Sequence, residues 1–99
     1  MRPLRIRPWA LREIDEAFEW YRKRSPEAAR EFLEQLDAAL AQIATAPAQH
    51  HVVRGRLRRV LLQRFPYGVY YKVYRDLVSV VGVLHGHRHP RNWLRRAAP

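Results

Sequence analysis

Val69-Tyr70-Tyr71-Lys72-Val73-Tyr74-Arg75-Asp76-Leu77-Val78-Ser79-Val80-Val81-Gly82-Val83-Leu84 is the stretch that decides the fold. Residues 69–74 are dense in β-branched and aromatic side chains, which suit a pleated, half-buried surface. Arg75-Asp76 predicts a tight turn. Residues 77–84 then predict a second strand, and its unbroken apolar run belongs inside a sheet, buried on both faces. Gly82 within it marks either a bulge or close packing against a helix. Just upstream, a β pattern opens at Leu57. Val60, Leu61 and Leu62 lead it into Arg64-Phe65-Pro66-Tyr67-Gly68.

Working outward, the N-terminal half is helical. Leu11, Ile14, Phe18 and Tyr21 fall on one helical face and predict a helix from about Trp9 to Lys23. Ser25-Pro26 supplies an N-cap and a first-turn proline for a second helix running to about Ala44. Ala29, Phe32, Leu36, Leu40 and Ile43 are its predicted buried stripe, widened by Leu33 and Ala39. One or two residues separate the helices, so an antiparallel hairpin is expected. Before them, Leu4 and Ile6 alternate with Arg5 and Arg7, a short strand ended by Pro8. Residues 46–56 read as a basic connection without periodicity. The expected fold class is α+β, in the order β-α-α-β-β-β. It is one domain over 1–99, an antiparallel sheet with the helical hairpin packed on one face.

The 99 residues carry 19 Lys and Arg against 9 Asp and Glu, a net charge of +10. Lys23 and Lys72 are the only lysines. Residues 1–45 hold eight basic and eight acidic residues, whereas residues 46–99 hold eleven basic residues and one acid, Asp76. An excess confined to one half predicts an anionic partner: nucleic acid, a nucleoprotein or an acidic protein segment. With no cysteine, a disulfide scaffold, a Cys-based zinc finger and thiol catalysis are excluded. No apolar run is long enough to span a bilayer and no secretory leader is evident, so a cytoplasmic protein without membrane contact is expected.

Three constellations stand out. His85-Gly86-His87-Arg88-His89-Pro90-Arg91-Asn92-Trp93 places three imidazoles on one face of an extended chain. A metal is not expected there, because no carboxylate lies nearby and no fourth ligand is in sight. The imidazoles could instead act as acid and base, or simply solvate a strand end. Arg54, Arg56, Arg58, Arg59 and Arg64 form a phosphate-binding track or a charged edge strand. Tyr67, Tyr70, Tyr71 and Tyr74 suit packing better than base stacking. The acids look like solvated helix faces, and Trp9, Trp20 and Trp93 like core or partner anchors.

The chain resembles the RelE/ParE superfamily, the toxic halves of bacterial type II toxin–antitoxin pairs. The resemblance is carried by Ala10-Leu11-Arg12-Glu13-Ile14, Ser25-Pro26, Arg64-Phe65-Pro66-Tyr67 with Val69-Tyr70-Tyr71, and His85-Gly86-His87-Arg88-His89-Pro90 with Trp93. It implies one of two activities, neither with a cofactor. ParE-like members poison DNA gyrase, and RelE-like members cut messenger RNA on the ribosome. The nuclease branch usually has an arginine near the start of the middle strand, where this chain has Gly68 or Val69. That departure favours a ParE-like toxin, neutralised by an acidic antitoxin, with gyrase as target. Arg58, Arg59, Arg64, Arg88, Arg91, Trp93, Arg95 and Arg96 are then the expected target contacts. Were the chain a nuclease, His85, His87, Arg88 and Tyr71 would be its catalytic candidates. A non-toxic nucleic-acid-binding module is the remaining alternative.

Overall fold

The computed structural model describes residues 2–86. Strand β1 (Leu4–Ile6) leads directly into helix α1 (Pro8–Arg24), and α1 into α2 (Pro26–Thr45). A single 3-10 turn, Pro47–Gln49, precedes β2 (His51–Arg54), β3 (Leu57–Leu61), β4 (Tyr67–Val73) and β5 (Val78–His85). The five strands form one open sheet in the order β1-β5-β4-β3-β2.

Ser25 does what the sequence predicts. Its extended backbone ends α1, and its hydroxyl accepts the Ala28 N–H at 3.2 Å to cap α2. The α2 stripe is largely as expected: Ala29, Phe32, Leu36, Ala39 and Ile43 are buried and Leu40 is half-buried, but Leu33, expected to widen the stripe, is exposed. On α1 the buried face is rotated, to Ala10, Glu13, Ile14 and Ala17, and Leu11 is 48% exposed. The alanines let the helix axis approach β5 closely, which larger side chains on that face would prevent.

Two features of the sheet depart from the reading of the sequence. β2 is a strand where residues 46–56 read as a connection. A bulge between Val52 and Arg54 breaks the alternation that would have revealed it. Gly55, at φ 55°, makes the tight turn into β3. The sheet is also mixed: β2 to β5 run antiparallel, but β1 joins β5 in parallel, pairing Leu4, Arg5 and Ile6 with Val78, Ser79 and Val80. The Arg7 N–H extends that ladder to the Val80 carbonyl at 3.0 Å. Pro8 then turns the chain out of the sheet into α1.

Beyond Val80, therefore, β5 has no strand on its outer side among the described residues. Glu13 reaches across from α1, and its Oε1 accepts the Val83 N–H at 2.9 Å. Glu13 was expected to be solvated; it is a buried carboxylate that finishes an unfinished sheet edge.

The helix side of the sheet holds the main core, where Val60, Val69, Tyr71, Val78, Val80 and Val83 meet Ile14, Phe32, Leu36 and Ile43. Four rings clasp its end. Phe32 lies 5.6 Å from Tyr21, 5.6 Å from Phe65 and 5.5 Å from Tyr67, centroid to centroid. Tyr21 and Phe65 meet edge to face at 4.9 Å.

Candidate functional site

Directly paired residues on neighbouring strands share a face, so the strand registers define the side of the sheet that carries no helix. One row crosses all five strands: Arg54, Leu57, Lys72, Ser79 and Arg5. The next holds His51, Arg59, Tyr70 and Gly82. A third pairs Leu61, Gly68 and Leu84. Leu57, Tyr70 and Leu84 form a second apolar cluster with Val53 and Val81 against it. Val81 is the extra residue of a bulge in β5, since Tyr70 pairs with Gly82 and Tyr71 with Val80. Arg7 reaches onto this face and donates from Nε to Ser79 Oγ at 2.7 Å.

Charge is segregated by layer. Eight of the nine acids lie in the two helices, the ninth is Asp76 in the β4–β5 turn, and none lies in a strand. The face opposite the helices is thus an apolar centre ringed by cations, with no carboxylate among its strand residues.

The candidate residues do not gather in one place. Arg59 belongs to this face. Arg58 is on the helix side beside Tyr71, where its guanidinium donates to the His50 carbonyl at 2.7 Å. Arg64 is held by α2: its guanidinium meets Glu31 at 2.6 Å and its backbone N–H donates to Gln35 Oε1 at 2.9 Å. Tyr71 is fully buried in the helix-side core, and its hydroxyl donates to the Pro47 carbonyl at 2.6 Å. His85 also faces the helices, edge-on to Tyr67 with centroids 5.3 Å apart, and lines a small cavity with Glu13, Glu16, Ala17 and Trp20. His87, Arg88, Arg91, Trp93, Arg95 and Arg96 lie outside the described residues. Among the described residues no group of three or more His, Asp or Glu side chains is placed to hold a metal ion.

Gly68 faces the side without helices. A Cβ there would stand 3.1 Å from Tyr70 Cε1, 3.2 Å from Leu61 Cδ2 and 3.3 Å from Arg59 Cδ. A residue longer than glycine would need these three side chains to give by a few tenths of an ångström. Lys72, on the same face, was not singled out from the sequence. Its side chain is largely buried, and that burial, with the nearby Arg56 charge, lowers its pKa. A lone lysine in an aromatic strand gives no sign of this, because the cause is its neighbours on other strands.

Burial raises the Tyr71 pKa above the usual tyrosine value, and the Arg58 charge only partly opposes it. The folded state therefore keeps this proton above about pH 10, where the unfolded chain loses it. The stabilisation is complete below that pH and is lost as pH rises towards the folded pKa. Tyr71→Phe is expected to cost about 1 kcal/mol at neutral pH, for the bond to Pro47. In paired denaturation curves, the wild type's advantage over Tyr71→Phe should shrink above about pH 10. A gap that widens there would reverse the assignment.

An α-helical hairpin covering one side of a five-stranded sheet, with cations on the other side, defines a small α+β class of basic proteins. Within it, residues 4–90 match the family described as the ParE toxin of the type II toxin–antitoxin system parDE. The chain belongs to that family, and so to the RelE/ParE superfamily. A solved structure described as the chromosomal ParDE TA system from P. aeruginosa has the same fold. It superposes with a TM-score of 0.66 at 19% identity, covering 86% of this chain and 96% of that one. No curated protein matches the sequence.

Proposed function

We propose that this ParE-family toxin acts in the cytoplasm by poisoning DNA gyrase, and that an acidic antitoxin encoded beside it holds it inactive. Such a pair would serve plasmid or chromosomal stabilisation. The observation that carries the choice of target is Gly68. An arginine there could hold the charge that builds on a phosphate during cleavage, but Tyr70, Leu61 and Arg59 crowd the position. The described nuclease candidates add support. Tyr71 and His85 face the helices, on the other side of the sheet from Arg59 and Lys72. Acid and base on one side of a sheet cannot serve a phosphate held on the other.

The test is induction of the toxin without its antitoxin, with a DNA-damage reporter and transcript mapping in the same cells. DNA damage with intact transcripts is expected. Cuts positioned at ribosomal A-site codons, lost in His85→Ala and without DNA damage in the wild type, would instead establish a messenger-RNA nuclease on the ribosome. A harmless protein that binds nucleic acid would sink both toxin readings.

Target contact is assigned to the basic residues, above all those after β5. Charge reversal at Arg88 and Arg91 is expected to abolish growth inhibition with an unchanged circular dichroism spectrum. Deleting residues 95–99, with Arg95 and Arg96, should weaken it less. Full toxicity in the double reversal would remove these arginines from the mechanism.

A further inference from the structure

Lys72 is 7% exposed, and among the described residues no hydrogen bond or ion pair meets its ammonium. Its neighbours make matters worse. It sits in the row Arg54, Leu57, Lys72, Ser79 and Arg5, with Arg56 close enough to disfavour its charge. Ser79 Oγ, the nearest polar side chain in that row, already accepts from Arg7. A largely buried cation beside other cations costs stability unless an anion is brought to it. A protein that needed this position only for packing would be better served by methionine or leucine.

From this geometry we infer that Lys72 is the anchor for one carboxylate of the antitoxin, inserted against the side of the sheet that carries no helix. The inference rests on the proposed antitoxin and names where on the toxin it docks. The surroundings favour a protein carboxylate over a nucleic-acid phosphate. Beside Lys72 lie Leu57 and Tyr70, with Leu84, Val53 and Val81 in the same cluster. A sugar–phosphate backbone offers nothing to this apolar surface. A segment that alternates acidic with apolar residues matches both parts, its carboxylate on Lys72 and its apolar side chains on the cluster. Arg5, Arg54 and Arg59 around the edge would steer such a segment in and set its register.

The experiment is titration calorimetry of the full-length toxin, wild type, Lys72→Met and Lys72→Arg, with the antitoxin from the adjoining reading frame. Lys23→Met, an exposed position on α1, is the control. Lys72→Met should weaken binding about thirtyfold or more, Lys72→Arg less, and Lys23→Met not at all. Free Lys72→Met should melt no lower than wild type, since it removes a charge that has no partner among the described residues. Equal affinities for wild type and Lys72→Met would overturn the inference and leave the antitoxin in place. A wild type that does not bind the antitoxin would remove the partner itself. A lower melting temperature for free Lys72→Met would mean that the lysine is satisfied within the chain. Short RNA and DNA duplexes form the last arm. Binding to them that is lost in Lys72→Met, with antitoxin affinity unchanged, would assign the site to phosphate.

Discussion

Replacing Phe32 with alanine is expected to cost about 3–5 kcal/mol, a large share of the roughly 5–15 kcal/mol that holds a small domain together. The ring is fully buried and touches elements that are far apart in sequence: Tyr21 on α1, Phe65 in the β3–β4 loop and Tyr67 on β4. Its loss would open a cavity where α1, α2 and the sheet meet, and none of the three could close it without moving its neighbours. Denaturant unfolding of the purified toxin measures the effect. Phe32→Leu should recover part of the loss. Unchanged stability in Phe32→Ala would mean that α2 does not present this face to the sheet. The same rings account for Arg64-Phe65-Pro66-Tyr67. Two of its four residues pack in the clasp, and Arg64 ties the loop to Glu31 and Gln35 of α2.

Glu13→Ala is the second substitution expected to matter, at about 2–3 kcal/mol, because it strands the Val83 N–H at a buried strand edge. Glu13→Gln keeps an acceptor oxygen and should cost clearly less. Hydrogen exchange gives the local reading: the Val83 amide should exchange faster in Glu13→Ala, while the Val80 carbonyl still holds Arg7. Equal exchange in both variants and the wild type would show that α1 does not guard this edge. The device also bears on assembly. An uncovered N–H at a strand edge invites another strand, and a carboxylate placed on it closes that route.

Much of this architecture is legible in the sequence because it depends on local rules. The Ser25-Pro26 helix start is fixed by chemistry within four residues. The α2 stripe repeats with the helical period, and the 69–84 hairpin is written in β-branched and aromatic residues around Arg75-Asp76. The family resemblance is legible in part for the same reason, since Ser25-Pro26 is a helix start and Arg64-Phe65-Pro66 a loop between β3 and β4. The charge asymmetry follows from counting, and the sheet then converts it into a basic face. What the sequence leaves open is what depends on distant partners. β2 shows no alternation because a bulge resets it, and its pairing energy comes from β3. The direction of β1 is set by where Pro8 must launch α1. Glu13 reads like any acid on a polar helix; only β5, 70 residues later, supplies the amide that buries it. Lys72 reads as an interruption in an aromatic strand. It becomes a site only when Leu57, Ser79 and Arg56 are brought around it, because the cost of a charge is set by its surroundings in space and not by its neighbours in sequence.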